Sequence, residues 1–351
     1  MSIKFTEKFV EPISHHLWIQ DYEPQTLNQV IGNPMVIETI NSFLNNDHLP
    51  NLILCGPNGC GKSITSKILA TQYLGTHITN NHLEIIGSIY RGKNVVTEKT
   101  DKKKSNDSSA DSPNIINFIR KKTVLPKNKC RIVTVYDFDC MTDEAQMALR
   151  RIIEIYSQKV RFIFICNNLS NVIEAIQSRA LILKFFPISI NDITLRLKEI
   201  MCQRHLVLSD EIYHAIGIIS HNDLKQAINY LQVFANSRII NETTDNDKIM
   251  EHFYHIFNIP SIENINQIID HCLNHQGLKA LAILNNMINN GYNVTDILDI
   301  MIKVLIFNKE IKEKDRAIMI EQTIKIISIC EQSSSVIHLY RLIVMIQKEL
   351  S

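Results

Sequence analysis

The sequence predicts an α/β protein: a mostly parallel sheet with helices on both faces, then a small helical domain and a larger all-helical one. Three observations carry this. Short apolar runs of strand type alternate with helical stretches over about 160 residues, the pattern of a sheet built from strand–helix–strand units. A glycine-rich loop, Gly56 to Ser63, lies between the first such run and a helix. After Pro187 the strand signals vanish and only helical periodicity remains.

Taken in order, the chain to about Pro24 is polar with few periodic apolar positions and reads as an N-terminal arm, residues 1–25. A helical stretch from Asn33 to Leu44 leads into Asn51-Leu-Ile-Leu-Cys55, a buried-strand run bounded by Pro50 and Gly56. Ser63 to Leu74 has helical spacing at Ile64, Ile68, Leu69 and Tyr73, and a second strand follows at Leu83–Ile86. Thr97 to Pro113 is charged and polar without an apolar face, so residues 97–113 read as a flexible surface insertion that should be dispensable for folding. Further strands are expected at Arg131–Tyr136, Val160–Cys166 and Leu181–Phe185, with helices at Glu144–Ile155 and near Val172–Ile176. Asn191–Arg204, Ser209–Ser220 and Asp223–Phe234 read as three helices, and more helical segments run to the C-terminus. These signals divide the chain into an α/β domain at 26–187, a small helical domain at 188–240 and a larger helical domain at 247–351.

Composition narrows the classes. With 351 residues the chain is long enough for two or three domains, and 37 Lys plus Arg against 36 Asp plus Glu give a formal net charge of +1. That excludes a uniformly polycationic surface for nucleic acid, though not a local basic patch. No apolar run reaches the roughly 18 to 20 residues that span a bilayer, and the first 24 residues lack a signal-peptide core, so an intracellular, non-secreted protein is expected. The 8 cysteines contain no Cys-x-x-Cys pair and read as small buried hydrophobes in a reducing compartment. Richness in Ile, Asn and Lys with only 10 Gly reads as codon bias of an AT-rich genome.

Gly56-Pro57-Asn58-Gly59-Cys60-Gly61-Lys62-Ser63 fits the phosphate-binding pattern G-x-x-x-x-G-K-[ST] in its required strand-to-helix context. Glycines let backbone N–H groups close on phosphate oxygens, the helix N-terminus adds its positive end, Lys62 binds phosphate and the Ser63 hydroxyl reaches Mg²⁺. An apolar strand ending in acid, Ile132-Val-Thr-Val-Tyr136-Asp137-Phe138-Asp139, is the expected second element. A phosphohydrolase of this type needs one carboxylate for Mg²⁺ and an adjacent acid to activate water, and here only one acid stands where two are wanted. If Asp137 is the metal partner, Phe138 occupies the base position; if Asp137 is the base, Tyr136 occupies the metal position. Both registers weaken hydrolysis.

Trp18-Ile-Gln-Asp-Tyr22-Glu-Pro24, the phosphate loop, Tyr90-Arg91-Gly92, Met141 through Arg151, and Cys166-Asn167-Asn168 through Gln177-Ser178-Arg179 together resemble the small subunits of replication factor C. These are AAA+ clamp loaders of eukaryotes, archaea and some large DNA viruses. The likeness covers nearly the whole chain, although the C-terminal part matches only as a helical segment of the right length, and it makes 26–187 an AAA+ nucleotide-binding domain, 188–240 its helical lid and 247–351 a helical collar for oligomerisation.

The resemblance implies ATP and Mg²⁺ as cofactors and an ATP-binding subunit that helps load a sliding clamp onto primed DNA. It makes Asn167 a sensor of the γ-phosphate or attacking water, and Arg179 an arginine finger acting on the neighbouring subunit's nucleotide. Lys225 stands where the family has the Arg of its second sensor, and Glu23 replaces the Arg of the family's Tyr-Arg-Pro. In the ungapped alignment the family's Asp-Glu-Ala-Asp reads Tyr136-Asp137-Phe138-Asp139, so an intact loop and finger accompany a spoiled acid strand. The pattern is that of a subunit that binds nucleotide and hydrolyses it poorly.

The implied partners are the other subunits of a hetero-pentamer, the clamp, and primer-template DNA held by backbone contacts, with no membrane; Arg91 and Lys93 match a segment near the DNA-facing side, with simply solvated side chains as the alternative. The implied compartment is the nucleus or a viral replication site. Ile115–Ile119 reads as a core-facing helix, with a clamp-docking helix as the alternative. Two other functions compete: a stand-alone AAA+ ATPase such as a helicase loader or branch-migration enzyme, and a nucleotide-free structural paralogue. The missing acid weighs against the first, and the retained Gly61-Lys62-Ser63 against the second.

Overall fold

The computed structural model describes residues 17–46, 48–92, 114–121, 125–126, 129–204, 208–237, 246–308, 311–330, 333 and 335–350. The 97–113 insertion, Lys93 and residues 1–16 of the arm lie outside the described residues. The chain forms two compact units, one of residues 1–208 and 220–230, the other of 209–219 and 231–351.

The first unit is built on five parallel strands: β1 (Leu52–Cys55), β2 (His82–Ile86), β3 (Arg131–Tyr136), β4 (Val160–Cys166) and β5 (Leu181–Lys184). They are ordered β2-β3-β4-β1-β5. The strands fall within a residue of the apolar runs because a strand buried on both faces needs an unbroken run of β-branched and aliphatic side chains. Helices α1 (Trp18–Asp21), α2 (Pro34–Asn45), α3 (Lys62–Leu74), α4 (Ile78–Asn81), α5 (Ile115–Arg120), α6 (Asp143–Ile155), α7 (Glu174–Gln177) and α8 (Ile190–Gln203) complete its N-terminal part.

Alternation along each strand divides the core. Leu52, Leu54, Ile132, Ile163 and Ile165 pack on one face with Ile37 and Ile40 of α2 and Ile68 and Leu69 of α3. Ile53, Val133, Val135, Phe162 and Phe164 pack on the other with Ile115 and Ile119 of α5 and Leu149, Ile152 and Ile153 of α6. Ile115 and Ile119 are buried, so α5 uses its apolar stripe for the core.

Local signals set the helix starts. Pro34 occupies the first turn of α2, where its missing N–H costs nothing. Thr142 Oγ1 accepts from Ala145 N to cap α6, whose first turn carries Asp143 and Glu144. Ser189 Oγ accepts from Asp192 N to cap α8. The described part of the arm is pinned to α8. Arg204 Nε donates to Tyr22 Oη at 2.9 Å, its guanidinium lies 4.5 Å from the Trp18 ring centroid, and Trp18 is buried.

The second unit is helical. Besides α9 (Asp210–Ile219) and the later part of α10 (Leu224–Asn236), it holds α11 (Asn246–Phe257), α12 (Ile262–Leu273), α13 (Gly277–Asn289), α14 (Val294–Phe307), α15 (Glu313–Cys330) and α16 (Val336–Leu350). Ile265, Ile269, Leu284, Leu298, Leu305, Met319 and Leu342 share one core across α12 to α16. Among the described residues no helix is long and apolar enough to cross a membrane, and no group of metal-ligating side chains is found.

Candidate nucleotide-binding site

The loop from Gly56 to Ser63 leaves the C-terminal end of β1 and runs into α3, with Gly61 as the residue before the helix. Two glycines are required by what surrounds them. A Cβ on Gly56 would come within 2.3 Å of Phe185 O, and one on Gly59, which has a φ of +70°, within 2.0 Å of Asp223 Oδ1. Asp223 also accepts from the N–H groups of Lys225 and Gln226, so it caps the start of α10 while touching the loop. That contact places Lys225 two residues from the cradle, with an exposed side chain.

Lys62 is nearly buried, at 6% exposure. Its Nζ donates to Gly56 O at 2.6 Å, to Pro57 O at 2.5 Å and to Asn167 Oδ1 at 3.1 Å. Asn167 follows the last residue of β4, and β4 is the neighbour of β1, so parallel pairing brings loop and Asn167 to the same edge of the sheet. Ser63 is half-buried in the first turn of α3. Pro57 O also accepts from Cys60 Sγ at 2.9 Å, and burial pushes the Cys60 thiol pKa up against the pull of Lys62. Asn58, at the turn of the loop, is exposed.

The side chains that end the acid strand face different ways. Tyr136 packs with the α2 and α3 face; its hydroxyl donates to Glu84 Oε1 at 3.3 Å, and burial together with Glu84 pushes its pKa up to about 12. Asp137 takes a left-handed conformation, φ 48°, and its Oδ2 accepts from Ser88 Oγ at 2.9 Å. Phe138 is fully buried on the opposite face, its ring centroid 4.4 Å from that of Phe164. A side chain enclosed in that core faces no loop.

Asp139, the last residue of the acid segment, has a structural part that the sequence did not assign to it. Its Oδ2 accepts from the backbone N–H groups of both Asn167 and Asn168 at 3.1 Å, which fixes the end of β4 and thereby the Asn167 side chain. The available signal was an acid just past β3, the strand next to β4. The α6 residue Gln146, fully buried, ties the same region together through Met141 O, Asn171 O and Ile173 N.

Arg179 is not brought to this site. It precedes β5, its carbonyl accepts from Asn51 Nδ2 at 3.4 Å, and Asn51 precedes β1. The loop leaves the other end of β1, roughly 13 Å away at about 3.3 Å per residue. Arg179 Nε and Nη2 instead meet Glu154 Oε1 at 2.9 and 2.7 Å. Glu23, for its part, pairs with Lys67 of α3 at 3.0 Å.

Residues 12–113 match the Rad17 P-loop domain family, and residues 260–343 match the replication factor C C-terminal domain. The chain is 30% identical to replication factor C subunit 2 of Arabidopsis thaliana over 289 residues, 82% of this chain and 80% of the relative. It is also 30% identical to the replication factor C small subunit of Archaeoglobus fulgidus over 283 residues, 80% and 82% of the two chains. The RuvB Holliday junction branch migration motor of Thermotoga maritima superposes with a TM-score of 0.53 at 14% identity, covering 71% of this chain and 78% of that one. At that identity the likeness is one of fold alone, a parallel-sheet P-loop domain. With relatives at this identity over four-fifths of both chains, the protein belongs to the replication factor C family, the clamp loaders of DNA replication.

Proposed function

We propose that this chain is an ATP-binding subunit of a hetero-pentameric clamp loader, which contributes a nucleotide site with weak hydrolysis of its own and a finger for its neighbour. Its parts would be an arm, a nucleotide-binding domain, a helical lid and a helical collar. Gly56 to Ser63 would cradle the triphosphate, Lys62 would turn from the loop carbonyls to phosphate oxygens, and Asn167 would read the γ-phosphate. Lys225, at the start of α10, would approach the same phosphates as a point charge without the planar fork of arginine.

The residues fit a nucleotide better than its metal. Ser63 supplies the hydroxyl that Mg²⁺ takes when bound with phosphates, but a neutral phenol, Tyr136, stands on the α3 face where a carboxylate would help hold it. Asp137 then falls at the base position, where a second acid assists water. The fit of Phe138 into the far core supports that register. Partners of the assembled ring would be paralogous subunits, a sliding clamp and primer-template DNA touched through its phosphates, with Arg91 on the described part of that surface. The place of work would be a nucleus or a viral replication site.

What carries this reading is the position of Arg179 at the opposite end of the sheet from its own phosphate loop. A finger there can serve only another chain. The test is reconstitution with Arg179→Ala: clamp- and DNA-stimulated phosphate release should fall at least tenfold, a lower bound against the roughly 10³ or more attributed to such fingers, while ATP binding by the mutant chain stays within about twofold. Unchanged turnover in a fully assembled mutant complex would remove Arg179 from the mechanism.

A further inference from the structure

Arg179 is held by its own chain. A guanidinium has five N–H donors. Four of them are engaged: Nε and Nη2 with Glu154 Oε1 at 2.9 and 2.7 Å, and Nη1 with Ala175 O at 2.8 Å and Ser178 Oγ at 3.1 Å. Glu154 lies near the end of α6, and the same Oε1 also receives Arg150 Nε at 3.3 Å. The Arg150 and Arg179 guanidinia hold the Glu154 carboxyl below the usual carboxylate range.

This arrangement is a poor device for stability. Both partners are open to water, with side-chain exposures of 32% for Arg179 and 44% for Glu154, and exposed pairs contribute little to folding. It is a good device for holding a guanidinium in one place. A planar fork meets phosphate through two parallel N–H groups, on either its Nε/Nη2 or its Nη1/Nη2 edge; Glu154 occupies the first, and Nη1 of the second is tied to Ala175 O and Ser178 Oγ.

We infer that Glu154 is a positioning residue that stows the Arg179 finger: the carboxylate competes with the neighbouring subunit's triphosphate for the same guanidinium edge, and the finger acts only when it leaves Glu154. The inference rests on the reading of Arg179 as a finger. Because the pair is exposed and salt-screened, a phosphate with more charge displaces it, and the cost of release appears in the rate at the neighbouring site. Glu154 touches no nucleotide in this scheme and works entirely through Arg179.

The test uses the complete assembly in four versions: wild type, Glu154→Gln, Arg179→Ala and the double mutant. Turnover at the site served by this chain is read as kcat and KM for ATP, with the other sites disabled. Glu154→Gln keeps size and hydrogen-bonding capacity but removes the charge, so kcat should rise about two- to five-fold, the range expected for loss of one exposed ion pair, with KM little changed. The gain must vanish on the Arg179→Ala background. Turnover unchanged or lowered in Glu154→Gln, where Arg179→Ala alone is slow, would overturn the stowing role and leave the finger standing. A gain that persists without Arg179 would also overturn it, because Glu154 would then act elsewhere. If Arg179→Ala itself turns over normally, the reading of the finger fails first, and the inference fails with it.

Discussion

Lys62 Nζ and Asn167 Oδ1 lie 3.1 Å apart, so the cation of the phosphate loop and the polar side chain at the end of β4 are already joined across the sheet edge. The two residues are 105 positions apart in sequence, and it is the parallel pairing of β1 with β4 that makes them neighbours. A phosphate arriving at the loop must exchange with the carbonyl and amide oxygens that Lys62 now serves.

Lys62→Ala should therefore remove most nucleotide affinity. One charge-assisted hydrogen bond to phosphate contributes roughly 1.5–3 kcal/mol, which corresponds to about a 10- to 150-fold loss. Equilibrium binding of a labelled, slowly hydrolysed ATP analogue measures it. Equal affinity for mutant and wild type would exclude the loop as the site.

Asp139→Ala should impair turnover more than binding. The substitution strips two backbone N–H groups, those of Asn167 and Asn168, of their acceptor and frees the Asn167 side chain to drift from Lys62. A stability cost of about 1–3 kcal/mol is expected from the orphaned donors. Denaturant unfolding gives the cost, and single-turnover hydrolysis in the assembled complex gives the rate. A stable mutant with wild-type turnover would show that Asn167 needs no such anchor.

The proposed acid-strand register predicts different results at the two positions that flank Asp137. Phe138→Ala should cost about 3–5 kcal/mol of stability, as for a large aromatic removed from a packed core, because the ring is fully buried against Phe164. Tyr136→Asp should raise turnover at this chain's own site, since in the proposed register Asp137 would already stand at the base position; Tyr136→Phe serves as the control without a gain. Phosphate release with the other sites disabled decides between them. No gain from a folded, nucleotide-binding Tyr136→Asp would favour the other register.

Gly59→Ala should weaken nucleotide binding at least tenfold and lower the thermal midpoint. The added Cβ meets Asp223 at 2.0 Å from Oδ1 and 2.7 Å from Cα, and φ there is +70°, so both the loop and the start of α10 must shift. Gly75→Ala is the comparison: φ is +55° there as well, but no atom lies within 4 Å. It should lower the midpoint and leave binding intact. Similar binding losses at both positions would mean that the contact with Asp223 is irrelevant.

The local elements were legible because their signals are local. The apolar runs at 131–136 and 160–166 coincide with β3 and β4, and the helices from Asn33, Ser63 and Glu144 begin within one residue of α2, α3 and α6. Periods of two and of about 3.6 residues are written in consecutive side chains, and caps such as Thr142 and Ser189 sit beside the turns they close. The phosphate loop was legible for the same reason, being eight consecutive residues. What Asp139 holds was not, because its partners follow β4, 28 and 29 residues further on.

The sequence by itself determined the strands, the loop and the short supply of acid at Tyr136-Asp137-Phe138; only the tertiary structure decided which way that segment's side chains face. Continued alternation from Val133 and Val135 would have put Asp137 on the α6 face and Phe138 beside Tyr136 on the α3 face. The left-handed turn at Asp137 breaks the alternation and sends Phe138 back into the core with Val133 and Val135. A single backbone angle at the end of a strand carries no periodic signature, and it is set here by the burial of one aromatic ring against Phe164. The partner of Arg179 was hidden in the same way: Glu154 lies 25 residues upstream on another helix, and only the packing of α6 beside α7 brings the two charges together.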